Sequence, residues 1–157
     1  MTETQKTGRY QRIYDQLEEL LKDKPNMIAC MSTIAAVLHQ KMDYYFWTGF
    51  YLLDHGELIV GPYQGSLACI KLKKDTGVCW AGINAAETVV VPDVHLFPGH
   101  IACDSRSKSE IVVPVRNSKD NIIGVLDVDS KEHGSFDEVD AEWLEKILEF
   151  GIWNLEL

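Results

Sequence analysis

The sequence predicts an α+β domain in which helices at both ends cover one face of a mostly antiparallel sheet. Three observations lead there. Apolar residues recur at three- and four-residue spacing near both ends of the chain. The middle is written in short β-branched and aromatic runs punctuated by turn residues. A long aperiodic stretch, Pro92 to Ser109, contains two prolines and a glycine and reads as one loop.

The first helical stripe is Tyr10, Ile13, Tyr14, Leu17, Leu20 and Leu21. Lys24-Pro25-Asn26 stops it, because proline cannot continue a helix. Asn26 is a good N-cap for a second helix, whose buried stripe would be Met27, Met31, Ile34, Ala35 and Leu38. Cys30 lies in that helix among apolar neighbours and is expected to be a buried, inert thiol. From Phe46 to Leu53 the texture is that of a strand. Asp54-His55-Gly56 is its hairpin turn, and Glu57 to Val60 returns. Leu67 to Leu72 reads as a further strand, Gly77 to Glu87 as a short helix around Cys79, and Thr88 to Val91 as a strand ended by Pro92. Ile111–Val115 and Ile122–Val128 read as an antiparallel pair. The last helix is expected to start near Ser135, with Glu138 completing a capping box. Its buried face would be Leu144, Ile147, Leu148, Ile152 and Leu155. The sheet face away from the helices is then free to hold a pocket roofed by the long loop.

Composition narrows the function. The chain has 157 residues, 46% of them hydrophobic and 25% charged, as expected for one ordinary globular core. The net charge of −9, with lysines and arginines scattered, argues against nucleic-acid and anionic-membrane partners. No apolar run is long enough for a membrane span, and nothing at the N-terminus resembles a signal peptide, so the expected address is cytoplasmic. In a reducing compartment Cys30, Cys69, Cys79 and Cys103 are not expected to form permanent disulfides.

Chemistry concentrates between Gly61 and Ser130. Three of the four cysteines lie there, and the long loop centres on Gly99-His100-Ile101-Ala102-Cys103-Asp104. Asp127 and Asp129 sit two apart on a strand, hence on one side of it, with Leu126 and Val128 opposite. Trp47 and Tyr51, four apart on the first strand, also share a side and serve equally well as core residues. Trp80 is assignable to core or to pocket wall. His95 and His100, with Asp93 and Cys103, can be drawn as a metal site. They fall in one irregular loop without a familiar ligand spacing, and no metal is assigned.

The ordered motifs Gly61-Pro-Tyr-Gln-Gly65, Ala68-Cys69, Gly77-Val-Cys79, Pro92-Asp-Val-His95, Pro98-Gly-His-Ile-Ala-Cys103, Ser109-Glu-Ile-Val-Val-Pro114 and Gly124-Val-Leu-Asp-Val-Asp-Ser130 resemble the free methionine-(R)-sulfoxide reductases, which are GAF-domain enzymes. The resemblance runs from about Trp47 to the C-terminal helix. It implies a single GAF domain over residues 1–157 and, since the chain ends about where such a domain ends, no output domain of a sensor. It implies that Cys103 is the nucleophile toward the sulfoxide sulfur and passes through a sulfenic acid. Cys69 would resolve that species as a disulfide, and Cys79 would take part in or relay it. Glu110, Asp127 and Asp129 would hold the substrate ammonium, which a methionine inside a protein lacks, and one crowded acid would protonate the sulfoxide oxygen. Trp47 and Tyr51 would wall the methyl pocket. Thioredoxin would return the thiols, with no bound cofactor. Members of that family are often dimeric, so a homodimer is compatible with the resemblance. A ligand-binding GAF module and a redox switch without turnover are the alternatives.

Overall fold

The structure, a computed structural model, describes residues 1–100, 103–150 and 153. Ile101 and Ala102 of the loop motif, and Ile152 and Leu155 of the expected C-terminal stripe, lie outside the described residues. The elements follow in the order α1 (Glu3–Leu20), α2 (Met27–Lys41), β1 (Trp47–Asp54), β2 (Glu57–Gln64), β3 (Lys71–Leu72), α3 (Gly77–Ala85), β4 (Val89–Val91), β5 (Ser109–Arg116), β6 (Ile122–Ser130) and α4 (Glu138–Ile147). The strands form one antiparallel sheet in the order β3-β2-β1-β6-β5-β4. Among the described residues no helix is long and apolar enough to cross a membrane.

Strand parity divides the interior in two. Phe50 of β1, Ile111, Val113 and Val115 of β5, and Leu126 and Val128 of β6 face one side. There they pack with the stripes of α1, α2 and α4. Trp47, Tyr51, Val112 and Val125 face the other side, where they meet α3 and Val94 of the long loop. The expected stripe of α2 is buried throughout, and Asn26 caps it by accepting from Ala29 N at 2.8 Å. Cys30 is fully buried in the same stripe. The β1–β2 hairpin turns on His55 and Gly56, at φ 51° and 79°. This left-handed pair matches the twist of the flanking strands.

Four boundaries differ from the sequence expectation. Leu20 is 53% exposed, because the last turn of α1 has rotated past the core that Leu17 and Leu21 enter. β2 continues beyond Val60 to Gln64. The pairing shifts from Tyr51↔Val60 to Gly49↔Tyr63, so a bulge absorbs Pro62, which has no N–H for the ladder. The strand expected over Leu67–Leu72 shrinks to Lys71–Leu72, and Leu67 and Ile70 are exposed. Apart from the bond from Val60 N to Ile70 O at 2.8 Å, the segment leaves the ladder, and Cys69 bonds to Cys103 instead. The N-cap of α4 is Asp137, whose side chain accepts from Val139 N and Asp140 N, with Asp140 completing the box. Ser135 is engaged elsewhere, with its hydroxyl 2.7 Å from that of Ser130.

Candidate active site

The pocket lies on the sheet face opposite α1, α2 and α4. Its floor is built by register. Asp129 of β6 is flanked across the strands by Trp47 of β1 and Glu110 of β5, and Asp127 is flanked by Gly49 and Val112. Same-face parity aims Glu110, Asp127 and Asp129 into one cavity. Gly49 leaves room for the indole beside it: a Cβ there would come within 2.6 Å of the Trp47 ring and 2.4 Å of Tyr63 Cβ. Trp47 stacks on Tyr51 at 5.8 Å and on Tyr63 at 5.3 Å, and its Nε1 donates to Ser66 O at 3.0 Å. Three further parts enclose the cavity: the segment Ser66–Ala68, the start of α3 from Thr76 to Cys79, and His100, Cys103, Asp104 and Ser107 of the long loop.

Cys69 and Cys103, far apart in sequence, are joined by a disulfide with Cα atoms 5.6 Å apart. Cys103 is exposed and Cys69 half-buried, so the bond sits at the pocket mouth within reach of an external thiol. The Tyr51 hydroxyl donates to Cys69 O at 3.1 Å, which ties the cysteine backbone to the pocket wall. Cys79 is a free, buried thiol in the first turn of α3. Its sulfur and carboxylate oxygens of Glu110 and Asp127 all lie within 4.8 Å of one another.

Crowding and burial decide the charge state of this floor. Desolvation, and then the charges of Asp127 and Asp129, push the Glu110 carboxyl well above the usual carboxylate range. Asp129 is also raised, by burial first and then by Asp127 and Asp104. Asp127 is raised less, to about 6, because hydrogen bonds from Glu110 and Cys79 partly offset its desolvation. Crowding thus holds back ionisation of all three acids, and Asp127, with hydrogen bonds from Glu110 and Cys79, is the one whose charged form is best supported. Burial and the same acids raise the Cys79 thiol well above the ordinary value, which keeps it protonated. Among the described residues Asp127 Oδ1, which is buried, has no hydrogen-bond partner, so a donor suits that point of the cavity.

The eight residues singled out in the sequence thus fall together: Trp47, Tyr51, Cys79, Cys103, Glu110, Asp127 and Asp129 line the cavity, and Cys69 is bonded to Cys103. Trp80 belongs to the core and donates to Leu72 O at 3.4 Å. The ligand set considered for a metal does not assemble: His100 lines the cavity, whereas His95 pairs with Asp93 on the surface. Sequence reasoning missed two features. The first is the N-terminus of α3, whose cap residue Thr76 spends its hydroxyl on Lys74 O at 3.1 Å and provides no side-chain cap. The second is the brace on the loop, where Asp104 accepts from Arg106 at 2.6 Å and Arg106 lies over the Phe46 ring at 4.8 Å. The sequence signal for that brace is only the two-residue spacing of Asp104 and Arg106.

This six-stranded antiparallel sheet, with three helices behind it, is the architecture of a GAF domain, and the GAF domain family matches residues 26–150. GAF domain-containing protein A of Dictyostelium discoideum is 46% identical, over 91% of this chain and 90% of its own. The free methionine-R-sulfoxide reductase of Escherichia coli is 36% identical, over 91% and 86%. Two solved structures are similar throughout. The reduced form of fRMsr of Staphylococcus aureus is 47% identical with a TM-score of 0.84, covering 88% of this chain and 90% of that one. The free methionine-R-sulfoxide reductase of Neisseria meningitidis, in complex with its substrate, is 42% identical with a TM-score of 0.88, covering 94% and 90%. The chain belongs to the free methionine-R-sulfoxide reductase family of GAF-domain proteins.

Proposed function

We propose that this protein reduces free methionine-(R)-sulfoxide to methionine and is reset by thioredoxin. The observation that carries this reading is the Cys69–Cys103 disulfide at the mouth of a pocket floored by Glu110, Asp127 and Asp129. The zwitterionic substrate suits that pocket. Its ammonium supplies the donors that Asp127 Oδ1 lacks, with Asp129 beside it. Its carboxylate suits the N–H groups and positive dipole end at the start of α3. The Trp47 and Tyr51 rings take the S-methyl group.

Reaction starts from the dithiol state. The Cys103 thiolate attacks the sulfoxide sulfur while Glu110, protonated because it is buried beside two other acids, donates to the sulfoxide oxygen. Oxygen passes to Cys103 as a sulfenic acid, and methionine leaves. The Cys69 thiol then attacks Cys103, giving the disulfide and one water. Two electrons have moved from the thiols to the substrate. Thioredoxin restores the thiols by exchange at the exposed bond, so no bound cofactor is required. Cys79 is held protonated, which suits a reserve thiol better than a first nucleophile. The cycle fits a reducing cytoplasm. A methionine sulfoxide within a protein has no ammonium and would leave the buried acids unpaired, at a cost on the order of 1–3 kcal/mol per group or more.

The test couples the protein to thioredoxin, thioredoxin reductase and NADPH. NADPH is expected to fall with the R isomer of free methionine sulfoxide and not with the S isomer. Cys103→Ser is expected to abolish turnover, and Cys69→Ser to allow at most one round without an external thiol. Full activity in Cys103→Ser would overturn the assignment.

A further inference from the structure

We propose that Asp93, His95 and His133 form a second site, separate from the pocket, that binds one divalent transition-metal ion of the zinc class and staples the Cys103-bearing loop to the connection between β6 and α4. One ligand atom from each residue lies within 4.8 Å of the other two. Asp93 Oδ1 is 3.2 Å from His95 Nδ1 and 3.6 Å from His133 Nε2. Tetrahedral zinc with nitrogen and oxygen ligands at about 2.0–2.1 Å sets its ligand atoms roughly 3.4 Å apart. The two separations therefore bracket the edge of such a site before any ion is added.

The backbone fixes the three residues in that relation. Asp93 Oδ1 accepts from His95 N at 3.0 Å and closes the 3-10 turn Val94–Leu96, which holds His95 on the same side as Asp93. Gly134 N donates to Pro92 O at 2.9 Å, so the residue after His133 is bonded to the residue before Asp93. Val94 N donates to Lys108 O at 2.9 Å and Lys108 N to Ser130 O at 2.8 Å, tying both connections to the end of the sheet. The backbone is thus in place before binding, and the freedom left to lose is chiefly that of the two exposed histidine side chains. Two imidazoles and one carboxylate select zinc, nickel or copper over magnesium or calcium, which prefer all-oxygen sets. Both histidines are mostly exposed, so a fourth position is open to water.

The site is independent of the reductase reading and of the buried Cys79, Glu110 and Asp127 cluster, because the disulfide form and histidine-specific signals report on it directly. The experiment titrates metal-stripped disulfide protein with zinc while imidazole resonances are followed by NMR. The five histidines provide internal controls, above all His55, which forms an exposed pair with Asp54 at 2.7 Å and has no third ligand. The expected result is that His95 and His133 move together and saturate at one equivalent, while His39 and His55 stay in place. His133→Ala, at a surface position, is expected to lower the zinc affinity by about tenfold or more, as is Asp93→Asn. The proposal is overturned if His55 responds as strongly as His95, if His95 moves without His133, or if His133→Ala binds zinc as the native chain does.

Discussion

Asp127 shows how burying a carboxyl on the pocket floor costs stability. It is buried on the pocket floor, its carboxyl is raised to about 6 chiefly by desolvation, and one of its oxygens has no partner among the described residues. A carboxyl whose folded value lies above its unfolded value binds its proton more tightly in the native state. It thus favours folding below about pH 4, and that contribution is lost as pH rises through about 6. A displacement of that size corresponds to on the order of 3 kcal/mol at pH 8. Asp127→Asn is therefore expected to unfold at a higher temperature than the native protein at pH 8 and at nearly the same temperature at pH 4, while turnover of free methionine sulfoxide falls sharply. Thermal melts at the two pH values check the first part; a variant less stable at pH 8 would refute it. The position of this acid was legible in the sequence, because alternation along a strand places Asp127 and Asp129 on one face whatever the surroundings. Two other features were not. The bond from Tyr51 to Cys69 O joins residues whose proximity depends on how the segment after β2 folds back. The pairing of Cys69 with Cys103 was implied by family resemblance, since no local spacing dictates it.

At the scale of elements, α1 and α4 are joined by a buried polar cluster that no single segment announces. Asp140, in the first turn of α4, accepts from Lys6 Nζ at 2.6 Å and from the Tyr10 hydroxyl at 2.6 Å, and also from Tyr44. Its second role is to accept from Asp137 N at 2.8 Å in the capping box. The stripe of α1 identified Tyr10 as core, but Lys6 is only 5% exposed, and periodicity cannot reveal that a lysine will be buried by a carboxylate from the far end of the chain. The same blindness moved the expected cap of α4 from Asp137 to Ser135, since Ser135 has the right chemistry and is taken by Ser130. Asp140→Asn keeps the volume and removes the buried charge that faces Lys6, leaving it the more exposed carboxylate of Asp137 at 3.2 Å and Ser135 O at 2.9 Å. It is expected to destabilise the fold by about 3 kcal/mol, toward the lower end of the penalty for breaking a buried pair, because Asp137 still faces the ammonium. Urea unfolding measures it. If Lys6→Met together with Asp140→Leu restores much of the loss, the penalty lies in the stranded ammonium and not in the cap.

The whole molecule has two interiors divided by one sheet, and they differ in what secures them. The helical side is closed by three helices and the Lys6–Asp140 cluster. Among the described residues the pocket side has one short helix, α3, and two mainly irregular segments, 65–70 and the described part of 92–108, whose covalent tie is the Cys69–Cys103 bond. That bond spans 34 positions of sequence. Closing a loop of that size restricts the unfolded chain by about 3–4 kcal/mol in the chain-entropy account. Breaking it leaves the helical core untouched, so the dithiol protein is expected to stay folded yet melt lower by on the order of 10 °C, given about 2–4 °C per kcal/mol for a chain of this size. On the reading proposed above, in which the disulfide is the product of turnover, the two segments are tied together in the oxidised form and released from one another in the dithiol form. Calorimetry of the disulfide and dithiol forms measures the melting difference. Hydrogen exchange is expected to show faster opening at 65–70 and 92–108 in the dithiol form, with α2 and β6 unchanged. Equal exchange in the two redox states would mean that the loops are held by the Arg106–Phe46 brace and the contacts around Asp93, and that the disulfide restrains nothing the fold does not already restrain.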